Sequence, residues 1–174
     1  ETLKQRVKER GTRRFILSNE ALSGRSAAMQ AFLEPLRDAL TVRAIGYVRA
    51  PATWLPSAYV QWGVCDKITI GRVPPYETKA RELARWYRGL LEWHDRMGDI
   101  LEVRSYEAAA DIVADFGDAI GLLIVRPEKR ILERYEDAEI VLRAAFNDRY
   151  NVHVLPRLFE RAVLAGTVGF PALA

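Results

Sequence analysis

An apolar segment runs without a turn into a proline-opened helix over Ala44-Ile45-Gly46-Tyr47-Val48-Arg49-Ala50-Pro51-Ala52-Thr53-Trp54-Leu55-Pro56-Ser57-Ala58-Tyr59. Pro51 suits a first helical turn, where its missing N–H costs nothing. A strand that leads straight into a helix cannot fold back as a hairpin, and the same alternation recurs along the chain. Short strands are expected over 13–17, 42–49 and 100–104. Helices are expected over 2–10 (closed by Gly11), about 27–40, about 76–96, and near 107–120, 136–150 and 152–165. Ser26 is the expected cap of the second helix, with Ala28, Phe32, Leu36 and Leu40 on one face and Pro35 perturbing it. The long helix carries Leu83, Trp86, Tyr87, Leu90, Leu91 and His94 at helical spacing. Strands separated by helices of this length imply a parallel sheet with helices on both faces.

Ligands of open α/β sheets bind outside the carboxyl ends of the strands. Arg49 follows such a strand, and its rigid fork of donors suits a phosphate. Ser57, eight residues on and about two turns into the next helix, adds a hydroxyl. The structural alternative is an ordinary strand-end Arg and an ordinary helical Ser.

The order of the flanking segments adds to this spacing. Arg14-Phe15-Ile16-Leu17-Ser18-Asn19-Glu20-Ala21-Leu22-Ser23 lies upstream, and Leu91-Glu92-Trp93, Val103-Arg104-Ser105-Tyr106-Glu107, Asp115-Phe116 and Ile120-Gly121 follow downstream. Over about residues 13–121 the chain resembles the bacterial sulfotransferase-like proteins, which use 3′-phosphoadenosine 5′-phosphosulfate. The resemblance implies a P-loop-type three-layer α/β sandwich with a parallel sheet, and a single domain over 1–174 with a helical region at 122–174. It implies that Arg49 and Ser57 hold the 3′-phosphate of the nucleotide. It further implies transfer of a sulfuryl group to a hydroxyl or amine on a small molecule or glycan, without a metal.

The family's other signature, a Gly/Lys/Ser/Thr loop that cradles the 5′-phosphosulfate at a helix N-terminus, is not recognisable. Leu22-Ser23-Gly24-Arg25-Ser26 follows the second expected strand and lacks Lys, and Gly166-Thr167-Val168-Gly169 is too loose to stand for the later Gly-rich loop. The first βα unit is therefore expected to lie outside these 174 residues, which alone are expected not to turn over the donor. The alternatives are a non-catalytic nucleotide- or glycan-binding domain on the same scaffold, and a P-loop kinase relative using ATP and magnesium.

Sulfuryl transfer calls for a base on the acceptor hydroxyl. Glu20, just past the expected strand 13–17 and at the same sheet edge as Arg49, is the candidate; its structural alternative is pairing with an Arg or capping the next helix. His94 reads as a packing or surface residue, and His153 is a weaker candidate near the acceptor. Trp54, Tyr59, Trp62, Trp86, Tyr87 and Trp93 read either as core or as a ring-stacking surface.

Composition bounds the remaining classes. With 49% apolar and 28% charged residues, the chain reads as a soluble globular protein with one core. No apolar run approaches the roughly 18 residues of a membrane span, and a cytoplasmic setting is the expectation. The single Cys65 cannot form an internal disulfide and reads as a buried small hydrophobe. Two His and one Cys, widely separated, argue no zinc site. The net charge of +3 is led by Lys4, Arg6, Lys8, Arg10, Arg13 and Arg14, which read as a solvated helix face rather than a nucleic-acid surface.

Overall fold

The computed structural model describes residues 14–126, 128 and 135–165. The expected helix over 2–10, most of the basic run and the Gly166–Gly169 segment lie outside them. The chain is mixed α/β and mostly helical, built around a two-stranded parallel sheet. Strand β1 (Ala44–Val48) pairs with β2 (Leu101–Ser105) in a register that sets Tyr47 beside Arg104 and Val48 beside Ser105. Among the described residues seven α-helices accompany it: α1 (Ser26–Arg37), α2 (Pro51–Tyr59), α3 (Tyr76–Ala84), α4 (Tyr87–Met97), α5 (Ile112–Ile120), α6 (Asp137–Asn147) and α7 (Pro156–Phe159). A 3₁₀ turn covers Glu20–Gly24, and wider π turns extend α2 over Val60–Cys65 and α7 over Glu160–Leu164. Among the described residues no helix is long and apolar enough to cross a membrane.

The sheet carries helices on both faces, as the alternation requires. On one face Gly46 lies against Leu90 of α4, and Leu101 packs on the cluster of Met29, Trp93 and Met97. On the other, the register partners Tyr47 and Arg104 reach Asp115 of α5. The expected strand at 13–17 is a correction. Residues 14–17 form no strand, and Phe15, Ile16 and Leu17 stand about half exposed. Instead of entering a ladder, this segment is tied by Arg14, which donates to the Ile120 and Gly121 carbonyls at the end of α5 (2.5 and 3.2 Å). Two strands with helices around them fall short of the three-layer sandwich that the resemblance implies.

Three helical expectations also change. Ser26 does not cap α1: it is the helix's first residue, buried, and its hydroxyl donates to Glu92 Oε2 at 3.2 Å. The inward face of α1 is Ser26 and Met29, with Phe32 and Leu40 turned outward. The long helix expected over 76–96 is two helices, because the chain tightens at Arg85–Trp86. There the Trp86 N–H bonds the Leu83 carbonyl and the Arg88 N–H the Arg85 carbonyl (2.8 and 3.0 Å), a three-residue spacing. The tightened turn sits where Trp86 and Tyr87 pack on Trp54, with ring centroids 6.0 and 5.2 Å apart. The buried face of α4 is then Gly89, Trp93 and Met97, and Leu91 and His94 lie outside it.

Gly89 is there because of a close approach. A Cβ at this position would meet the Ser23 carbonyl oxygen at 2.4 Å. One turn along α4, Trp93 donates its indole N–H to the Leu22 carbonyl at 3.0 Å. The 3₁₀ turn bearing Glu20 is thus seated on α4 by backbone contact. Gly24, in the same turn, has open space where a Cβ would stand. Gly89→Ala is expected to destabilise the protein by about 1–3 kcal/mol through overpacking, while Gly24→Ala stays within about 0.5 kcal/mol of wild type. Urea denaturation of the two variants checks the contact, and equal stability would refute it.

Candidate anion-binding site

The backbone leaves β1 at Val48, whose carbonyl still accepts the Tyr106 N–H from the end of β2 (2.9 Å). Both strand ends therefore finish side by side, and the residues that follow them meet. The Arg49 carbonyl accepts the Tyr87 hydroxyl at 2.6 Å. Its guanidinium lies over the Tyr106 ring, 5.0 Å from the centroid, and Nη2 makes one long bond to the Thr53 carbonyl at 3.5 Å. Arg49 Nε is buried with no hydrogen-bond partner. Among the described residues no carboxylate lies within ion-pair distance of Arg49.

Glu107 feels the Arg49 charge, yet its carboxylate is turned elsewhere. Its Oε1 accepts the Ala50 N–H at 2.9 Å and the Thr53 hydroxyl at 2.6 Å, at the first turn of α2. The Thr53 hydroxyl and the Ala50 N–H, with the Arg49 charge behind them, hold the Glu107 carboxyl below its ordinary range. Burial pushes the Tyr87 hydroxyl up, with Glu107 acting in the same direction and Arg49 against it. Ser57 is exposed on α2, one helical turn beyond Thr53, so Thr53 and Ser57 share one face of the helix. No bond joins Arg49 to Ser57 directly.

Glu20 opens the 3₁₀ turn and is exposed. Its carbonyl accepts the Ser23 hydroxyl (2.9 Å), and no hydrogen bond or ion pair links its side chain to Arg49. The connection runs through α4: Gly89, which the Ser23 carbonyl abuts, is two residues from Tyr87, whose hydroxyl holds the Arg49 backbone. The sequence assigns Thr53, Tyr106 and Glu107 no role, and offers Tyr87 only as core or as part of a ring-stacking surface. Thr53 was accessible as the residue four beyond Arg49, and Tyr106-Glu107 as the pair closing the next parallel strand.

A second charged group shows what a structural arginine looks like here. Arg104 donates to both oxygens of Asp115 (2.7 and 2.9 Å) and to Glu102 at 2.5 Å, while Glu102 also accepts Arg43 at 2.6 Å. Tyr47 completes the set with a 2.5 Å bond to Asp115. An open cleft of about 290 Å³ runs along Glu102, Arg104, Ser105 and Asp115, and its charges are spent on one another. Cys65 is buried, with its thiol pushed up to about 11 by that burial, which argues against a nucleophile. His153 is exposed, as is His94. Trp93 and Tyr59 are packing residues, whereas Trp54, Trp62, Trp86 and Tyr87 form one partly exposed aromatic group beside Arg49.

No protein-family profile, curated protein or solved structure matches this chain.

The Asp115 carboxyl is held down to about 2 by the Arg104 hydrogen bonds and then by Tyr47. Its folded value lies below the ordinary 3.8, so its contribution is full above pH 3.8 and is lost as pH falls through about 2. The stability margin of wild type over Asp115→Asn is expected to shrink across that window. Melting curves taken through it test this, and a constant margin would show that the network adds no pH dependence.

Proposed function

We propose that this protein binds the 3′-phosphate of an adenosine 3′,5′-bisphosphate group at Arg49 and acts as a sulfotransferase. The observation that carries the reading is the state of Arg49. It is fixed from three elements by Tyr87, Tyr106 and Thr53, yet its guanidinium has one long hydrogen bond and no acid. Every arginine in the Arg43–Glu102–Arg104–Asp115 network is neutralised by its neighbours. A positioned but unspent guanidinium at the carboxyl end of a parallel strand favours an anionic ligand. Ser57, one turn past Thr53, supplies the second donor of the family's spacing.

In the transfer itself the acceptor oxygen attacks the sulfur of the donor and the bond from sulfur to the bridging phosphate oxygen breaks. The sulfate ester forms, adenosine 3′,5′-bisphosphate leaves, and the acceptor proton passes to a base. Glu20 is that base in this reading, because its turn and Arg49 are tied to the same end of α4. Phosphate recognition at Arg49 positions the donor and contributes through orientation. The exposed position of Glu20 equally suits a nucleotide- or glycan-binding domain without transfer.

A charge-assisted contact is worth roughly 1.5–3 kcal/mol. Arg49→Ala is therefore expected to weaken adenosine 3′,5′-bisphosphate by about ten- to a hundred-fold and to leave adenosine 5′-phosphate nearly unchanged. Ser57→Ala acts in the same direction, more weakly. Calorimetry with both nucleotides on folded variants decides it. Equal losses for the two ligands, or none for either, would overturn the phosphate assignment.

A further inference from the structure

The first turn of a helix offers backbone N–H groups without internal partners, and anions seat on them. In α2 those donors are scarce. Pro51 has no N–H, and the Thr53 and Trp54 N–H groups both bond the Ala50 carbonyl (3.1 and 2.9 Å). Of the forward donors that remain, the Ala52 N–H, the Ala50 N–H and the Thr53 hydroxyl, a single oxygen of Glu107 takes the last two, at 2.9 and 2.6 Å. Glu107 follows β2, so the parallel strand pairing itself delivers this carboxylate to the helix end. Arg49, one residue before Ala50, is left with its guanidinium on Tyr106 and Nη2 pointing along the Thr53 side of the helix.

The geometry points to Glu107 as a specificity-determining residue: its carboxylate takes the Ala50 and Thr53 donors at the first turn of α2 and sets a negative charge beside Arg49, against small free anions. This rests on the phosphate reading of Arg49 and sharpens it. A free phosphate, which brings no further contacts, meets the charge of Glu107 and finds the Ala50 and Thr53 donors taken. A phosphate carried on a nucleotide approaches along α2, where Ser57 adds a donor and the rest of the ligand supplies binding that offsets the repulsion. The acid so placed selects for an anion presented on a larger molecule and against small free anions.

The test uses the full 174-residue chain as wild type, Glu107→Ala, Glu107→Gln and Arg49→Ala, titrated with inorganic phosphate and with adenosine 3′,5′-bisphosphate. The readouts are affinity and the amide resonance of Ala50. In wild type, phosphate should leave the Ala50 amide in place. In Glu107→Ala it should shift that amide and bind at least about ten-fold more tightly, the worth of one recovered charge-assisted contact. Glu107→Gln keeps an acceptor for Ala50 while losing the charge, so phosphate affinity should rise about three-fold at low salt, lose that gain at high salt, and leave the Ala50 amide unmoved. A folded Glu107→Ala with unchanged phosphate affinity, or a wild-type Ala50 amide that shifts with phosphate, would overturn the proposal. If Glu107→Ala does not fold, an unchanged affinity in Glu107→Gln overturns it instead. Arg49→Ala separates the two ideas: unaltered bisphosphate binding in that variant refutes the phosphate reading, whatever the Glu107 variants do.

Discussion

Parallel pairing of β1 with β2 is the constraint from which the rest of the arrangement follows. Two strands that run the same way cannot be joined by a turn, so the 52 residues between Val48 and Leu101 must cross over, and they do so as α2, α3 and α4. The pairing also makes both strands finish at one end. Arg49 leaves β1 there and Tyr106-Glu107 leave β2 there, which is why a guanidinium, an aromatic ring and a carboxylate far apart in sequence surround the first turn of α2. Backbone pairing at Ala44–Val48 thus decides side-chain chemistry several residues beyond the ladder.

The two faces of the sheet are held by different physics. Toward α4 the contact is apolar and close: Gly46 accommodates Leu90, and Leu101 joins Met29, Trp93 and Met97. Toward α5 the contact is ionic, with Tyr47 and Arg104 both on Asp115. Burial and that bond push the Tyr47 hydroxyl up to about 12. Ion pairs this exposed contribute little individually, and their use here is to set orientation. The helix they orient ends at Gly121, whose positive φ of 64° lets its N–H close the last turn. A further buried polar group sits apart from the site. Lys67 is fully buried and donates to the Gly71 and Tyr150 carbonyls, and Asn147 donates to Val64 at 2.5 Å. These bonds tie the loop after the π turn to α6.

Much of the element order was legible because it depends on local signals. Pro51 marks the start of α2 by its fixed φ and missing N–H, and the apolar runs around residues 45 and 102 mark the strands. Strand 13–17 failed for a non-local reason. Phe15-Ile16-Leu17 has the composition of a strand, but strands need a partner, and Arg14 commits this segment to the end of α5. The split between α3 and α4 was hidden for a similar reason, since the residues around Arg85 are good helix formers and only the packing of Trp86 and Tyr87 on Trp54 favours the tightened turn. Gly89, a poor helix former, is a contact surface for Ser23.

At the site, sequence alone determined that a strand leads into Arg49, that a proline-opened helix follows, and that Ser57 lies two turns along it. Those are consequences of chain connectivity and helical period, which a linear sequence encodes directly. Only the tertiary structure decided that Tyr106 lies under the guanidinium, that Tyr87 holds its backbone, and that Glu107 turns to Ala50 and Thr53 instead of pairing with Arg49. Each of these contacts joins residues that strand register and the packing of α4 bring together across 38 to 57 positions of chain. Register is set by pairing between strands, and no local pattern in either strand contains it.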